Sequence, residues 1–321
     1  MLTIHADGEK EPSTWQPGTP IPANAAWLDL CEADEAEVDA CEDVVKLVLP
    51  DRKDISGIGL AGRNRSTDKA VFLQVSHFVD AGDDDPSAAP VSLVLTPEML
   101  VTQRYAASPT FDIAAREWHE DQSHEGAASA FAELMETMAE RTAESMQRIA
   151  NDVAGLSGHV FGDRRPKVRH LRSWLVHVGK LEARLAHSRG TLLGISRIVV
   201  FMCEKQPGWL REEARARITM VRNDLTTLDQ FDEQLTGKLQ FLLDAIFGLI
   251  GVNQNNVMKL FTVASVVAVP PVVLAGIWGM NFKAMPELSQ PWGYAMALSA
   301  IAISILIPLG IFKWRGWLSS D

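Results

Sequence analysis

Several groups of residues in this chain have side chains that bind metal ions. Carboxylates crowd two segments of the first half, residues 31–43 and 80–85, and hard divalent cations prefer oxygen ligands of this kind. Residues 119–125 combine histidine with carboxylates, which suits a transition metal. Further on, residues 276–288 read GIWGMNFKAMPEL and place polar side chains between two apolar runs. These residue types indicate that the chain binds cations. Which of the groups does so depends on the helices, strands and loops that position them.

The histidine-containing group is the weakest of these as a metal site. Its members are His119, Glu120, Asp121, His124 and Glu125. The two histidines are five residues apart, so they do not share one face of a helix. Ser123 before Glu125 is instead typical of a helix start. A transition-metal site at this position is therefore a minor alternative.

Composition excludes several classes of function. The 321-residue chain has a net charge of −11 and a pI of about 5.2, which argues against nucleic acid as a partner because phosphate binding needs clustered Lys and Arg. Three cysteines without a CxxC pair support neither a disulfide framework nor a thiolate zinc site. No GxSxG, P-loop or dinucleotide-binding fingerprint occurs, so we expect no enzyme. The first residues also do not have the pattern of a signal peptide.

Two apolar runs near the C-terminus predict membrane spans. Residues 260–278 and 294–312 contain no charge, and each is close to the roughly 20 residues needed to cross a bilayer. A buried helix pair of a soluble protein is the alternative, but soluble helices of this length usually carry a polar face, which neither run has. Lys259, Lys313 and Arg315 flank the spans and predict that both ends face the cytoplasm, with the chain in the inner membrane. Aromatic residues suited to the membrane interface also flank the runs: Trp278, Trp292, Tyr294, Trp314 and Trp317.

The part before the spans predicts an α/β cytoplasmic domain with long helices. β-Prone runs at residues 25–30, 70–79 and 91–96 are separated by turns and acidic, helix-like stretches. From residue 111 the apolar spacing becomes helical, and a second helix is expected over about 168–203. We therefore expect a cytoplasmic α/β domain (1–110), a cytoplasmic helical hairpin (111–207), a long stalk helix continuing into the first span (208–278), an external loop (279–293), the second span (294–312) and a basic cytoplasmic tail (313–321).

A heptad series predicts that the stalk and the first span form one helix. Its members are Ile218, Val221, Leu225, Leu228, Leu235, Leu239, Leu242, Ile246 and Leu249. The series is interrupted only where Asp232 falls, and no proline separates it from the first apolar run. Heptad seams permit long helices when helices pack together. The alternative is a soluble coiled-coil hairpin that ends before Asn253.

These features together resemble the CorA family of magnesium channels. The tripeptide of Gly279, Met280 and Asn281 follows the first apolar run, within residues 252–288 that are similar to the family's signature region. The ending FKWRGWL at residues 312–318 resembles the family's usual C-terminus. Residues 24–37, NAAWLDLCEADEAE, are similar to the opening strand and acidic helix of these proteins. The resemblance spans the chain and is sharpest over its last quarter.

The resemblance implies a homopentamer with a cytoplasmic funnel, in which first spans line a pore and second spans face lipid. It implies a selectivity filter of Gly279, Met280 and Asn281, with Glu287 in the outer loop. Neutral amide and carbonyl oxygens in such a ring hold a hydrated Mg²⁺ weakly, which conduction requires because this ion gives up its waters reluctantly. The positions matched to the pore lining and gate are Asn255, Met258, Phe261 and Ser265.

The resemblance also implies regulation by the transported ion. Magnesium bound between cytoplasmic domains would bridge carboxylates of neighbouring subunits and stabilise a closed state. The candidates are Asp80, Asp83, Asp84 and Asp85 in a loop between strands, facing Asp224, Asp229 or Asp244 on the long helix. Each of these residues is as readily explained as a solvated surface carboxylate.

Two residues depart from the family pattern, and two other functions compete. Lys283 partly offsets the attraction of Glu287 for cations, and Val272 stands where relatives often have a threonine. A ZntB-like zinc transporter is the close rival, although Met280 and the MPEL sequence at 285–288 favour the magnesium branch. A membrane-anchored coiled-coil scaffold is the alternative of a different class, and it leaves residues 279–281 unexplained.

Overall fold

The computed structural model describes residues 1–50, 64–79, 87–120, 126–162, 168–280 and 290–317. The strands of this part are β1 Leu2–Ala6, β2 Ser13–Thr14, β3 Ala25–Cys31, β4 Arg65–Ser66, β5 Val71–Val79, β6 Ser87–Leu95 and β7 Leu100–Arg104. The helices are α1 Glu35–Val45, α2 Pro109–Glu120, α3 Ala127–Val160, α4 Val168–Lys205, α5 Glu212–Trp278 and α6 Gly293–Trp314. The chain divides into two compact units, one of residues 1–163 and 174–243 and the other of residues 164–173 and 244–321.

A mixed seven-stranded sheet organises the N-terminal part of the first unit. Its order is β2-β1-β3-β7-β6-β5-β4, and β3 runs parallel to β7 while the other neighbours are antiparallel. The three predicted β-prone runs correspond to β3, β5 and β6. Residues 24–37 contain β3 and the acidic start of α1, as the resemblance implies, and two further strands, β1 and β2, precede them, of which β1 pairs with β3.

One face of the sheet is an apolar layer beneath α1. Leu28 and Leu30 of β3 pack there with Cys41 of α1. Acidic residues begin this helix: Asp34 accepts a hydrogen bond from the Glu37 N–H at 2.9 Å, and the Glu37 carboxylate accepts one from the Asp34 N–H at 3.1 Å. Part of the acidic segment 31–43 therefore caps a helix, where carboxylates are favoured.

The opposite face of the sheet has a buried polar network, because alternate residues of a strand point to opposite faces. Asp29 of β3 accepts a hydrogen bond from Thr102 at 2.6 Å and two from Arg104, at 3.0 Å from Nε and 2.8 Å from Nη2. Thr102 in turn accepts a hydrogen bond from the Trp27 indole N–H at 2.9 Å. The pair of Asp29 and Arg104 is almost fully buried, with side chains 6% and 7% exposed. The network joins β3 to β7, whose residues are more than 70 positions apart.

A histidine pair lies beside this network. His5 stacks on Trp27, and its Nδ1 lies 3.0 Å from Nε2 of His119 on α2. Nδ1 of His119 lies 2.7 Å from the carbonyl oxygen of Glu9, which accepts a hydrogen bond. In the neutral pair, His119 therefore carries its proton on Nδ1 and His5 donates to His119. Both ring nitrogens of His119 therefore have a partner, whereas Asp121, His124 and Glu125 of the minor metal-site alternative lie outside the described residues.

Burial lowers the pKa of His5 from about 6.5 to about 4. A group whose folded-state pKa is lowered resists protonation on folding, so its effect on stability is favourable above pH 6.5 and is lost as pH falls toward 4. We expect the free energy of unfolding to fall by about 2 kcal/mol between pH 7 and pH 5 through this group. Urea unfolding of the detergent-solubilised chain at the two pH values measures it.

The matched variants for this prediction are His5→Gln, which removes the titrating group, and His177→Gln, which replaces an exposed histidine of α4. His5→Gln is expected to reduce the pH dependence and His177→Gln to leave it unchanged. An equal pH dependence in all three chains would show that His5 does not titrate on unfolding.

Three long helices form the remainder of the first unit. Arg184 of α4 binds Asp152 of α3 at 2.8 Å, Arg189 of α4 binds Asp232 of α5 at 2.6 Å, and Arg217 of α5 binds Glu133 and Glu136 of α3. The pairing positions show that α4 runs antiparallel to α3. Most members of the predicted heptad series are buried along α5, and Leu228 and Leu249 are half-buried. The expected α/β domain with long helices is confirmed.

The heptad series is interrupted at Asp232 by an ion pair whose carboxylate is buried and whose partner, Arg189, is partly exposed. The Asp232 side chain is 5% exposed, and its Oδ2 accepts a hydrogen bond from Arg189 Nε. Arg189 also donates to the Thr236 hydroxyl at 2.6 Å. Within the described part of the chain, Asp232 Oδ1 has no hydrogen-bond partner. The seam therefore includes a carboxylate that is only half satisfied.

We expect Asp232→Leu to leave the chain equally stable or more stable, by up to about 2 kcal/mol, because leucine restores the apolar seam and removes a buried charge. Arg189→Met is expected to destabilise the chain by roughly 1–3 kcal/mol, because it leaves the buried carboxylate without its ion-pair partner. The urea concentrations at the unfolding midpoints of the solubilised variants test whether each substitution stabilises or destabilises the chain. A loss of stability in Asp232→Leu as large as in Arg189→Met would contradict the expectation.

Candidate ion-conducting site

The stalk heptads and the first apolar run belong to one helix. Helix α5 covers 67 residues, from Glu212 to Trp278, and continues through Asn253 and through Pro270 and Pro271. At 1.5 Å per residue this length corresponds to about 100 Å. Since Asn253 lies inside the helix, a soluble hairpin ending before this residue is not formed.

The candidate pore residues lie on one face of this helix. At 100° per residue, Asn255, Met258, Phe261 and Ser265 fall within an arc of about 120°. All four are exposed, including Met258 at 64% and Phe261 at 65%. A row of exposed methionine and phenylalanine flanked by asparagine and serine is unusual for a soluble surface. The spacing that places these side chains in a line is what a pore lining requires.

Hydroxyl groups in the apolar helices are mostly bonded to their own helix. Thr262 donates to the Met258 carbonyl at 2.8 Å, Ser299 to Ala295 at 2.7 Å and Ser304 to Ile301 at 2.7 Å. Such bonds satisfy a polar side chain in a bilayer. Ser265 forms no hydrogen bond within the described ranges, so its hydroxyl is available to water or an ion. Thr262 lies on the same face of α5 as Asn255 and Met258. It was not among the predicted pore residues, although its four-residue spacing from Met258 indicates this position.

The helix ends directly before the predicted filter. The Gly279 N–H donates to the Ala275 carbonyl at 2.9 Å, and the Met280 N–H to the Ile277 carbonyl at 3.3 Å. A β-carbon on Gly279 would approach the Ala275 oxygen to 3.1 Å, so glycine allows this tight end. The Met280 side chain is half-exposed. Asn281, Lys283 and Glu287 lie outside the described residues.

Among the residues that the structure describes, two helices are long and apolar enough to cross a bilayer, α5 and α6. None of the residues in the most apolar window of either helix is buried within the chain, so this surface is left for lipid or a further protein surface. The aromatic residues near their ends are exposed at Trp292, Tyr294, Trp314 and Trp317. Exposure of both windows distinguishes them from core helices of a soluble domain.

The predicted regulatory carboxylates fall into a described and an undescribed set. Asp224, Asp229 and Asp244 are exposed along α5, whereas Asp80, Asp83, Asp84 and Asp85 lie outside the described residues. Asp224 and Asp229 are about 140° apart around the helix, so they do not face the same ligand. Among the described residues, no three His, Cys, Asp or Glu side chains are grouped to hold a metal ion.

The helix pattern suggests that the chain is related to a known protein family, and comparison with such families tests this. Residues 23–314 match the family of CorA-like Mg²⁺ transporter proteins. The chain belongs to the CorA family. The resemblance drawn from residues 252–288 and from the C-terminal ending is therefore confirmed.

Individual relatives match almost the whole chain. The magnesium transport protein CorA of Wolinella succinogenes is 28% identical over 301 residues, and that of Escherichia coli K12 is 29% identical over 303 residues, each covering 92% of both chains. The structure of the CorA magnesium transporter from Methanocaldococcus jannaschii superposes with a TM-score of 0.79 over 99% of each chain at 15% identity. The match extends across the sheet, the long helices and both apolar helices, so the chain has the fold of that transporter.

Proposed function

We propose that this chain forms a homopentameric channel in the inner membrane that conducts Mg²⁺ passively into the cytoplasm, where both of its termini lie. Membership of the CorA-like Mg²⁺ transporter family over residues 23–314, with Gly279, Met280 and Asn281 directly after the first apolar helix, carries this proposal. Co²⁺ and Ni²⁺ are proposed as further ions, since both are divalent cations of similar size. The cytoplasmic, external and membrane segments follow the boundaries predicted from the sequence.

The proposed filter works through neutral oxygens. Five copies of the Asn281 amide and the Gly279 carbonyl would accept hydrogen bonds from the waters around the ion. Magnesium keeps most of its waters because it dehydrates reluctantly, so a filter that binds the hydration shell avoids the cost of dehydration. Weak binding of this kind allows the ion to leave again. Glu287 would attract cations to the mouth, and Lys283 reduces that attraction.

The proposed gate lies below the filter on the face of α5 described above. Met258 and Phe261 would form apolar rings that exclude water when the pore narrows, while Asn255 and Ser265 offer polar contacts on either side. The exposure of these side chains in the single chain supports this role. Val272 lies on the same face and leaves the upper pore without the hydroxyl that relatives often have.

The proposed regulation is negative feedback by internal Mg²⁺ bound between subunits. The described acids do not form a three-ligand group within one chain, so a binding site needs ligands from a neighbour or from the loop of residues 80–85. Asp229 and Asp244 lie within about 60° of each other around α5 but roughly 22 Å apart along its axis, and Asp224 faces elsewhere. Each of the three is therefore proposed as a ligand of a separate intersubunit site.

Ion flux into proteoliposomes tests the function. Purified chain reconstituted in liposomes is expected to admit Mg²⁺, Co²⁺ and Ni²⁺ down their gradients, without dependence on a proton gradient. Zinc flux without magnesium flux would replace the proposal by ZntB-like transport. An absence of flux for every ion would favour a membrane-anchored scaffold. Neutralising Asp229 and Asp244 together with the acids of residues 80–85 is expected to weaken closure by internal Mg²⁺.

A further inference from the structure

The second compact unit has two exposed arginines at the start of α4. This unit joins residues 164–173 with residues 244–321, so the start of α4 groups with the apolar part of α5 and with α6. Leu171 of α4 is only 3% exposed, whereas Arg169 and Arg172 on either side of it are exposed. The start of α4 therefore packs through its apolar side and presents two guanidinium groups to the surroundings.

The described part of the second unit is basic, although the whole chain has a net charge of −11. Asp244 is the only acidic residue among the described residues of this unit. An excess of cations next to apolar helices suits an anionic membrane surface. The described cations of the unit are Arg169, Arg172, Lys259, Lys313 and Arg315.

The two arginines of α4 are not neutralised by carboxylates in the part of the chain that the structure describes. Arg169 Nε donates a long hydrogen bond to His170 Nε2 at 3.4 Å, and Arg172 forms no ion pair there. Charged groups that are exposed and unpaired remain able to bind a ligand of opposite charge. Among the described residues, the arginines that form ion pairs all belong to the first unit: Arg104, Arg141, Arg184, Arg189, Arg215 and Arg217.

The start of α4 lies near the proposed membrane surface. Since Arg189 pairs with Asp232 while the start of α4 groups with residues 244–321, α4 runs antiparallel to α5 and its first residues point toward the apolar run. Ile246 is the buried apolar residue of α5 in this unit, and it precedes Leu260 at the start of the apolar run by about 20 Å. The headgroup layer takes up roughly 6 Å of this length. The field of an anionic leaflet extends for a Debye length of about 8 Å, and long arginine side chains bridge the remainder.

We propose that Arg169 and Arg172 bind the phosphate groups of anionic phospholipids in the cytoplasmic leaflet. A guanidinium group donates two parallel hydrogen bonds to phosphate oxygens, which gives this contact geometric specificity as well as charge. A lipid fits better than a soluble acidic partner because the arginines share a compact unit with both apolar helices. The inference rests on the proposed membrane placement and deepens it, since it adds a lipid contact from a helix that lies far before the first span in sequence.

Thermal unfolding of the full chain in detergent micelles, titrated with lipid, tests the contact. A lipid that binds the native state raises the unfolding temperature, and we expect phosphatidylglycerol to do so at lower concentrations than phosphatidylcholine. Arg169→Ser combined with Arg172→Ser is expected to raise the half-saturating concentration of phosphatidylglycerol roughly thirtyfold, which corresponds to about 1 kcal/mol for each arginine. Its response to phosphatidylcholine is expected to stay unchanged. High salt is expected to remove the preference for phosphatidylglycerol in the wild type.

The matched control combines Arg211→Ser with Arg222→Ser, which removes the same charge from exposed arginines of the first unit. A shift in the control as large as in the α4 variant would overturn the proposal, because net charge alone would then explain it. Protection by inorganic phosphate at the same concentrations would assign the arginines to a free anion and also overturn it. Loss of the oligomer by the α4 variant in phosphatidylcholine, measured by native mass spectrometry, would assign them to a neighbouring chain instead.

The same titration separates failure of this inference from failure of the membrane placement. Equal stabilisation of the wild type by both lipids would overturn the inference and leave the placement intact. An absence of stabilisation by either lipid would contradict the placement as well. Equal unfolding temperatures of wild type and variants without added lipid show that the substitutions do not disturb the fold.

Discussion

Asn281→Ala is expected to reduce Mg²⁺ flux into proteoliposomes by at least about fiftyfold. In the proposed five-fold ring the substitution removes five amide oxygens at once, and each lost hydrogen bond to the ion's water shell is worth roughly 0.5–1.5 kcal/mol. Five losses of roughly 0.5 kcal/mol give a total near 2.5 kcal/mol, which corresponds to a roughly seventyfold change in rate. The measurement is the initial rate of Mg²⁺ entry at matched protein density.

The control for this variant is Asn223→Ala, an exposed asparagine of α5 in the cytoplasmic unit. Its flux is expected to equal that of the wild type. Wild-type flux in Asn281→Ala would remove the amide ring from the mechanism. A second variant, Asn281→Asp, places five carboxylates at the same position, and we expect slower release of Mg²⁺ because charged oxygens bind the ion more tightly.

Arg104→Met is expected to destabilise the cytoplasmic unit by about 3–5 kcal/mol. The variant leaves Asp29 with a single hydrogen bond, from Thr102, in a site where its side chain is only 6% exposed. An unpaired buried carboxylate costs far more than the pair contributed, since the charge can no longer be compensated. The free energy of unfolding in urea, with the full chain in detergent, gives the loss directly.

Two further variants show whether the cost comes from charge burial. Asp29→Asn combined with Arg104→Met removes both charges and keeps an acceptor for Thr102, so it is expected to recover at least half of the loss. Arg141→Met breaks an exposed pair with Glu144 at 2.6 Å and is expected to cost less than about 1 kcal/mol. Equal losses in Arg104→Met and Arg141→Met would contradict the role given to burial.

Those parts of the fold that depend on periodic apolar residues could be predicted from the sequence. The heptads of α5 and the two uncharged runs predicted helices because every third or fourth residue must face a partner or lipid. Strand β7 was missed for the opposite reason. Its sequence LVTQR reads as a polar edge, yet Thr102 and Arg104 are buried. Their partner Asp29 lies in a distant strand, and spacing alone does not reveal such a pairing.

Polar residues inside an apolar series were also difficult to interpret from the sequence alone. Asp232 looked like a break in the stalk seam, and the structure places it inside the seam beside Arg189. Arg189 belongs to a different helix, so only the tertiary arrangement explains why a carboxylate is tolerated there. Conversely, the acids of residues 31–43 suggested cation binding, whereas Glu37 binds backbone N–H groups and the N-terminal amine at 2.8 Å.

The residues of the candidate ion path were predicted from family resemblance, and their arrangement on the helix from helical spacing. Asn255, Met258, Phe261 and Ser265 were chosen from family resemblance, and helical spacing then places them on one face of α5, because a straight helix fixes those angles. The roles of Gly279, Met280 and Asn281 came from family resemblance, since three residues have no periodicity of their own. The bonding of Thr262 to its own helix could not be read from composition.

The position of both apolar helices after residue 260 also determines the order of synthesis. A ribosome adding roughly 5–20 residues per second releases the complete seven-stranded sheet many seconds before the first apolar run leaves the exit tunnel. The stalk half of α5 follows, and only then does its apolar half reach the membrane-insertion machinery. The sheet therefore has time to fold before targeting, and a variant that destabilises it, such as Arg104→Met, is expected to lower the amount of inserted protein as well as its stability.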